Sequence, residues 1–149
     1  MSRELPPEAE ITALEGHRFP GGYYTVAHWE NVLLSDCTGA EILPAGQVHP
    51  VALFHMPFLG GGTTIAELFA LGQAESDLSI MIESYDWEFF SPLREATEYR
   101  VSGEITSAQR CQAEGGRIYD RIQFRFDIAH SDSAVARSTI TWHFTRNTL

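Results

Sequence analysis

"RIYDRIQFRFDI", Arg117 to Ile128, is the stretch from which the architecture can be read. Ile118, Ile122, Phe124, Phe126 and Ile128 fall on one side of the chain, and Tyr119, Arg121, Gln123, Arg125 and Asp127 fall on the other. A period of two marks a strand with one face on a core and one in water. "ARSTITWHF" repeats it through Ala136, Ser138, Ile140, Trp142 and Phe144, and "EYRVSGEIT" through Tyr99, Val101 and Ile105. With "LSIMIESYDWEFF" these segments predict four consecutive strands, and "EGG" at Glu114 to Gly116 supplies a hairpin turn.

Upstream the period changes. "RFPGGYYTVA" offers a turn and a short strand at Tyr23 to Val26. "HWENVLLSDCTGA" has helical spacing, with Trp29, Val32, Leu33 and Cys37 on one face and Gly39 as the stop. Pro44, Pro50 and Pro57 argue against a continuous helix in "EILPAGQVHPVALFHMPFLGGG", which reads as loop and irregular strand. From Thr63 the apolar residues Ile65, Leu68, Phe69 and Leu71 predict a largely buried helix ending near Ser76 or Asp77. A long helix ahead of an antiparallel sheet that wraps it is an α+β layout. Met1 to Gly16 read as a loosely held arm, and residues 17–149 as one domain.

Composition narrows the function. A chain of 149 residues, 44% hydrophobic, is enough for one good core. No long uninterrupted apolar run is present, and "MSRELPPEAEITALEG" lacks the basic-then-apolar order of a secretory signal, so a cytoplasmic location is expected. Cys37 and Cys111 have no metal-like spacing and read as reduced packing residues. A net charge of −10 opposes nucleic acid and anionic membrane as partners. All ten basic residues are arginine, whose planar fork suits phosphate, so a small local phosphate site stays open.

The glycine-led helix and the sheet that comes after it resemble the hot-dog fold over about Tyr23 to Phe144. The local pattern resembles FabA/FabZ-type 3-hydroxyacyl-ACP dehydratases. In that family a glycine opens the central helix, an acid follows five positions later, and a histidine lies upstream in a proline-rich loop. Gly62 and Glu67 in "GTTIAEL" have that spacing, and His55 in "FHMP" stands where the histidine would be. The Asp and His loop motif of the similar MaoC-type hydratases is absent. The resemblance implies an acyl-thioester substrate on acyl carrier protein or coenzyme A, no cofactor, no metal, and a homodimer or hot-dog heterodimer.

Dehydration of a β-hydroxyacyl thioester needs a base for the α-proton, an acid for the leaving hydroxyl and a donor for the enolate-like oxygen. The resemblance gives these roles to His55, to Glu67 and to the backbone at Gly61 and Gly62, with the two side chains meeting across a dimer interface. His49 in "VHPV" is the second histidine candidate. Against these stand plainer readings: a flexible glycine turn, an exposed glutamate favoured by the helix dipole, and satisfied structural histidines. Tyr85, Trp87 and Phe89 are sheet packing or the lining of an acyl tunnel, and Arg94, Arg100, Arg121 and Arg125 are candidate anion contacts. Rival functions are a hot-dog thioesterase, an enzyme adding an amine such as glycine to an enoyl thioester, and a non-catalytic acyl-binding or partner subunit.

Overall fold

The computed structural model describes residues 4–146. Four long strands dominate: β2 (Ile80–Phe89), β3 (Glu98–Gln112), β4 (Ile118–His130) and β5 (Ser133–Thr145), preceded by the short β1 (Gly22–Thr25). All pair antiparallel in the order β1-β3-β4-β5-β2. The expected alternation holds: Ile122, Phe124, Phe126 and Ile128 of β4 are buried, as are Ile140, Trp142 and Phe144 of β5. Trp142 meets Phe124 edge-on at 5.2 Å between centroids, and Phe126 stacks on Phe19 at 5.4 Å. The β3–β4 turn is at Glu114–Gly116, as read from the sequence. A bulge between Ile82 and Ser84 interrupts the β2–β5 ladder and sets Glu83 apart.

The sheet's apolar face is covered by short pieces: α1 (Glu8–Thr12), α2 (His28–Cys37), a 3-10 segment (Pro50–Phe54), α3 (Met56–Gly60) and α4 (Ile65–Leu71). The layout is the α+β hot-dog arrangement, but the long central helix of the sequence reading is replaced by α3 and α4. Pro57 lies in the first turn of α3, where its missing N–H has no partner to lose, so "HMPFLG" is helix rather than loop. Helix α4 has seven residues and buries only Leu68, not the broad surface expected.

Helix α2 is rotated relative to its predicted face. Trp29 is 67% and Leu33 54% exposed, while Asn31 and Ser35 are buried. Cys37 is exposed, so it is not the packing residue the sequence suggested, and Cys111 is half-buried. The reason is polar: a hydrogen-bonded Asn31 holds the inward face.

The first residues differ from the loose arm expected. Ile11 of α1 is fully buried, and the Arg110 guanidinium donates to the Pro6 carbonyl at 2.8 Å. Residues 1–3 of that arm and 147–149 of the domain lie outside the described residues. Arg110 also clasps Asp120 at 2.8 Å, and Arg146 reaches the same carboxylate while donating to the Gly72 and Gln73 carbonyls beyond α4, each at 2.6 Å. Asp120 and the Arg146 side chain are wholly buried. Removing one member of such a cluster leaves a buried charge unmatched. Asp120→Ala is expected to lower unfolding free energy by about 3–5 kcal/mol in urea titration, and Asp120→Leu with Arg146→Met by clearly less. A loss under about 1 kcal/mol in Asp120→Ala would show that the cluster is not needed.

Candidate functional site

Strand β1, helix α2 and the bend between the 3-10 segment and α3 converge on one polar group. Ala27 is extended and starts α2, which places Glu30 in the first turn with its Oε1 accepting the Ala27 N–H at 3.3 Å. The Tyr24 hydroxyl donates to Glu30 Oε2. His55 Nε2 stands 3.4 Å from that same oxygen, with the histidine side chain 26% and the glutamate 14% exposed. Burial, followed by the Glu30 hydrogen bond, raises the Tyr24 pKa well above its ordinary value, so the phenol stays protonated as a donor.

This arrangement fixes a tautomer. A carboxylate that accepts from Tyr24 and Ala27 selects the imidazole form with the proton on Nε2 facing it. His55 Nδ1 is then the atom left to accept a proton, and Glu30 orients the ring.

Glu30 is held by the next residue. Buried Asn31 donates to the Gln47 carbonyl at 3.1 Å and to Glu95 Oε1 at 2.7 Å, and accepts the His49 N–H at 2.9 Å. His28 Nδ1 meets Glu95 at 3.0 Å. His49 itself caps the 3-10 segment: its Nδ1 accepts the Val51 N–H at 3.1 Å and its Nε2 lies 3.4 Å from Thr38 Oγ1. Both ring nitrogens of His49 therefore have structural partners.

The remaining expected residues gather elsewhere. Glu67 Oε2 accepts the Thr64 N–H at 2.9 Å while Thr64 Oγ1 accepts the Glu67 N–H at 3.1 Å, a reciprocal cap that starts α4. Among the described residues no hydrogen bond or ion pair joins Glu67 to His55. Gly62 does not open a helix; it lies just past the end of α3 with φ +73°, and a Cβ there would lie 2.8 Å from the Gly21 carbonyl oxygen. The Gly61 N–H is bonded to the Pro57 carbonyl, and the Gly61 carbonyl accepts the Gly21 N–H, both at 2.9 Å. Gly62 and Glu67 share an open depression of about 480 Å³ with His17, Phe19 and Leu71. The glycines thus break the helix and dock its end on β1, and the acid caps α4.

Glu30 was not singled out in the sequence, where Ala27 carries no capping side chain to mark the start of α2. On β2, Tyr85 packs on Phe54 at 5.1 Å. Phe89 borders an apolar cleft of about 420 Å³ with Val48, Pro50, Phe90 and Leu93. Arg121 is bound by Glu83, Arg125 by Glu104, and Arg94 donates to the Ala45 carbonyl. Among the described residues no three His, Cys, Asp or Glu side chains gather as a metal site, and no helix is long and apolar enough to cross a membrane.

The Asn31 and His28 hydrogen bonds hold the Glu95 carboxyl below its usual pKa. A lowered folded-state pKa means that the stabilisation is present above the ordinary glutamate range and is lost as pH falls through the folded value. Glu95→Gln is expected to flatten the decline of the urea midpoint between about pH 5 and pH 3 relative to wild type. Parallel pH profiles would show that Glu95 contributes nothing to it.

Neither a family profile nor a curated protein matches the sequence. Solved structures do match in shape. The HadBC (3R-hydroxyacyl-ACP dehydratase) complex from Mycobacterium tuberculosis aligns with TM-score 0.68 at 12% identity, over 89% of this chain and 98% of that chain. The ChsH1-ChsH2 complex from Mycobacterium tuberculosis aligns with TM-score 0.67 at 13% identity, over 95% and 90%. A thioesterase complexed with coenzyme A and Zn from Thermus thermophilus aligns with TM-score 0.54 at 11% identity, over 85% and 84%. At such identities the likeness is one of fold, and the chain has the hot-dog fold shared by dehydratase and thioesterase structures.

Proposed function

We propose that the protein is an acyl-thioester enzyme of the 3-hydroxyacyl dehydratase or enoyl hydratase type, with His55 as its base. The observation that carries this reading is the Glu30–His55 contact of 3.4 Å, backed by Tyr24, with no hydrogen-bond partner for Nδ1 among the described residues. His55 Nδ1 removes the α-proton of a 3-hydroxyacyl thioester. The C–H electrons form the double bond as the β-hydroxyl leaves, and the imidazolium, oriented by Glu30, returns the proton to that hydroxyl as water departs. Hydration is the reverse. One histidine thus serves as base and acid, and Glu67 is left to its cap. The cleft bordered by Val48, Phe89 and Leu93 is apolar and takes the acyl chain. A cytoplasmic site of action accords with a thioester substrate.

The same reading includes a dimer, made with a second copy or with another hot-dog chain. Among the described residues the outer edge of β2 is unpaired, and Leu78, Met81 and Ile82 are exposed on or beside it. Pairing of such edges satisfies backbone groups and covers apolar surface. Sedimentation of the purified chain, alone and then after co-expression with hot-dog chains encoded beside it, is expected to give a two-subunit species in one of the two cases. A monomer in both that retains full activity would refute the assembly.

The chemistry is tested by following water addition and thiol release separately with crotonyl, 3-hydroxyacyl and saturated acyl thioesters. His55→Ala is expected to lose on the order of a hundredfold or more in rate, and Glu30→Gln somewhat less, with the double variant little worse than His55→Ala. Glu67→Gln should stay within a few-fold in rate and lose about 0.5–1 kcal/mol of stability. Thiol release without water addition would assign a thioesterase using the same base on water. No turnover of any thioester would leave a binding or partner subunit.

A further inference from the structure

The outer face of the sheet at β1 and β3 carries a second arrangement. Tyr23 stands opposite Arg100 in the ladder, and the adjoining pair is Gly22 with Val101. Val101 is buried, so Tyr23 and Arg100 point to the other side, where Tyr23 is 65% exposed. Two depressions flank this pair. One of about 440 Å³ is lined by Pro20, Gly21, Gly22, Tyr23, Arg100 and Ser102, with no acidic side chain. The other, of about 320 Å³, is lined by the same Tyr23 and Arg100 together with Glu98, His130 and Asp132.

Arg121, Arg125 and Arg137 on this face are each held by carboxylates, whereas Arg18 and Arg100 make no ion pair among the described residues, and of these two Arg100 lines the depression without an acidic side chain, Arg18 the one with Glu104 and Asp127. An unmatched guanidinium beside an exposed aromatic ring and the Ser102 hydroxyl suits a ligand with a phosphate and a flat base. Arg100 and Ser102 lie two residues apart on one strand face, about 7 Å along it, within reach of one phosphate group for a side chain as long as arginine.

We propose that this depression binds the adenosine 3′,5′-diphosphate end of coenzyme A, with the base on Tyr23 and a phosphate on Arg100 and Ser102. The assignment rests on the acyl-thioester reading and selects coenzyme A over carrier protein as the substrate's handle. Tyr23 and Tyr24 are consecutive and face opposite sides of β1, so the nucleotide and the Glu30–His55 pair lie on opposite faces of one strand. The chain continues along β3 before that strand, through Arg18 opposite Glu104, so a flexible pantetheine arm has to cross the edge of β1 to join them.

Calorimetric titration with adenosine 3′,5′-diphosphate and with coenzyme A tests this without requiring turnover. Wild type is expected to bind both. Arg100→Ala should weaken both roughly ten- to hundredfold, Tyr23→Ala roughly tenfold, and Arg100→Lys by an intermediate amount. Arg117→Ala, on the hairpin turn at the far end of β3 and β4, should bind as wild type does and so controls for net charge. All are surface substitutions, and circular dichroism confirms folding. Wild-type affinity in Arg100→Ala, or no binding of either nucleotide at millimolar concentration, would overturn the assignment. Nucleotide binding without thioester turnover supports the cleft and removes the enzyme. Turnover with equal KM for coenzyme A and N-acetylcysteamine thioesters does the reverse.

Discussion

A buried amide with three hydrogen bonds to three residues on other segments holds the pieces of this molecule's cover together. Helices of five to ten residues are marginal by themselves and persist only where tertiary contacts fix them. Asn31 supplies such a fixture by joining α2 to Gln47, His49 and Glu95 at once. Its polar atoms could not be buried without those partners, so the rotation of α2 is set by hydrogen bonding rather than by its apolar residues. With α2 fixed, Glu30 is delivered to Tyr24 and His55, and Trp29 and Leu33 are turned to the outside.

How much could be read in advance depends on how local each signal is. The strands were legible because alternation is written in consecutive residues, and a half-buried ladder rewards that pattern directly. The cover was less so. The apolar spacing of α2 named a real helix but the wrong inward face, because hydrogen bonds to residues 16 to 64 positions away outweighed it. Pro57 looked like a breaker and proved to be a first-turn residue, a difference of one position in the frame. The break between α3 and α4 depends on how closely Gly62 approaches the Pro20–Gly21 turn, a contact across about forty residues.

The site shows the same division. His55 was recognisable by its place in a proline-rich loop before the glycines, whereas its carboxylate partner comes from α2, twenty-five residues earlier. Glu67 drew attention by its spacing from Gly62, yet that spacing is also what a reciprocal cap demands of Thr64 and the residue three beyond it. Short-range geometry alone could not separate the two uses. Charge behaves similarly: a net −10 describes the whole surface, while the local balance varies from the matched Arg125 to the unmatched Arg100.

The two edges of the sheet are unequal, and that inequality limits growth. At β1 the start of the edge is covered from within, because the Gly21 N–H just before the strand is taken by the Gly61 carbonyl and Gly22 lies against Gly60. At β2 it is open, though interrupted by the bulge at Glu83. A border that is partly covered and only four residues long offers a second neighbour far less backbone than the ten-residue border at β2. Runaway stacking into fibrils, the hazard of any exposed strand, is thereby disfavoured after the first pairing.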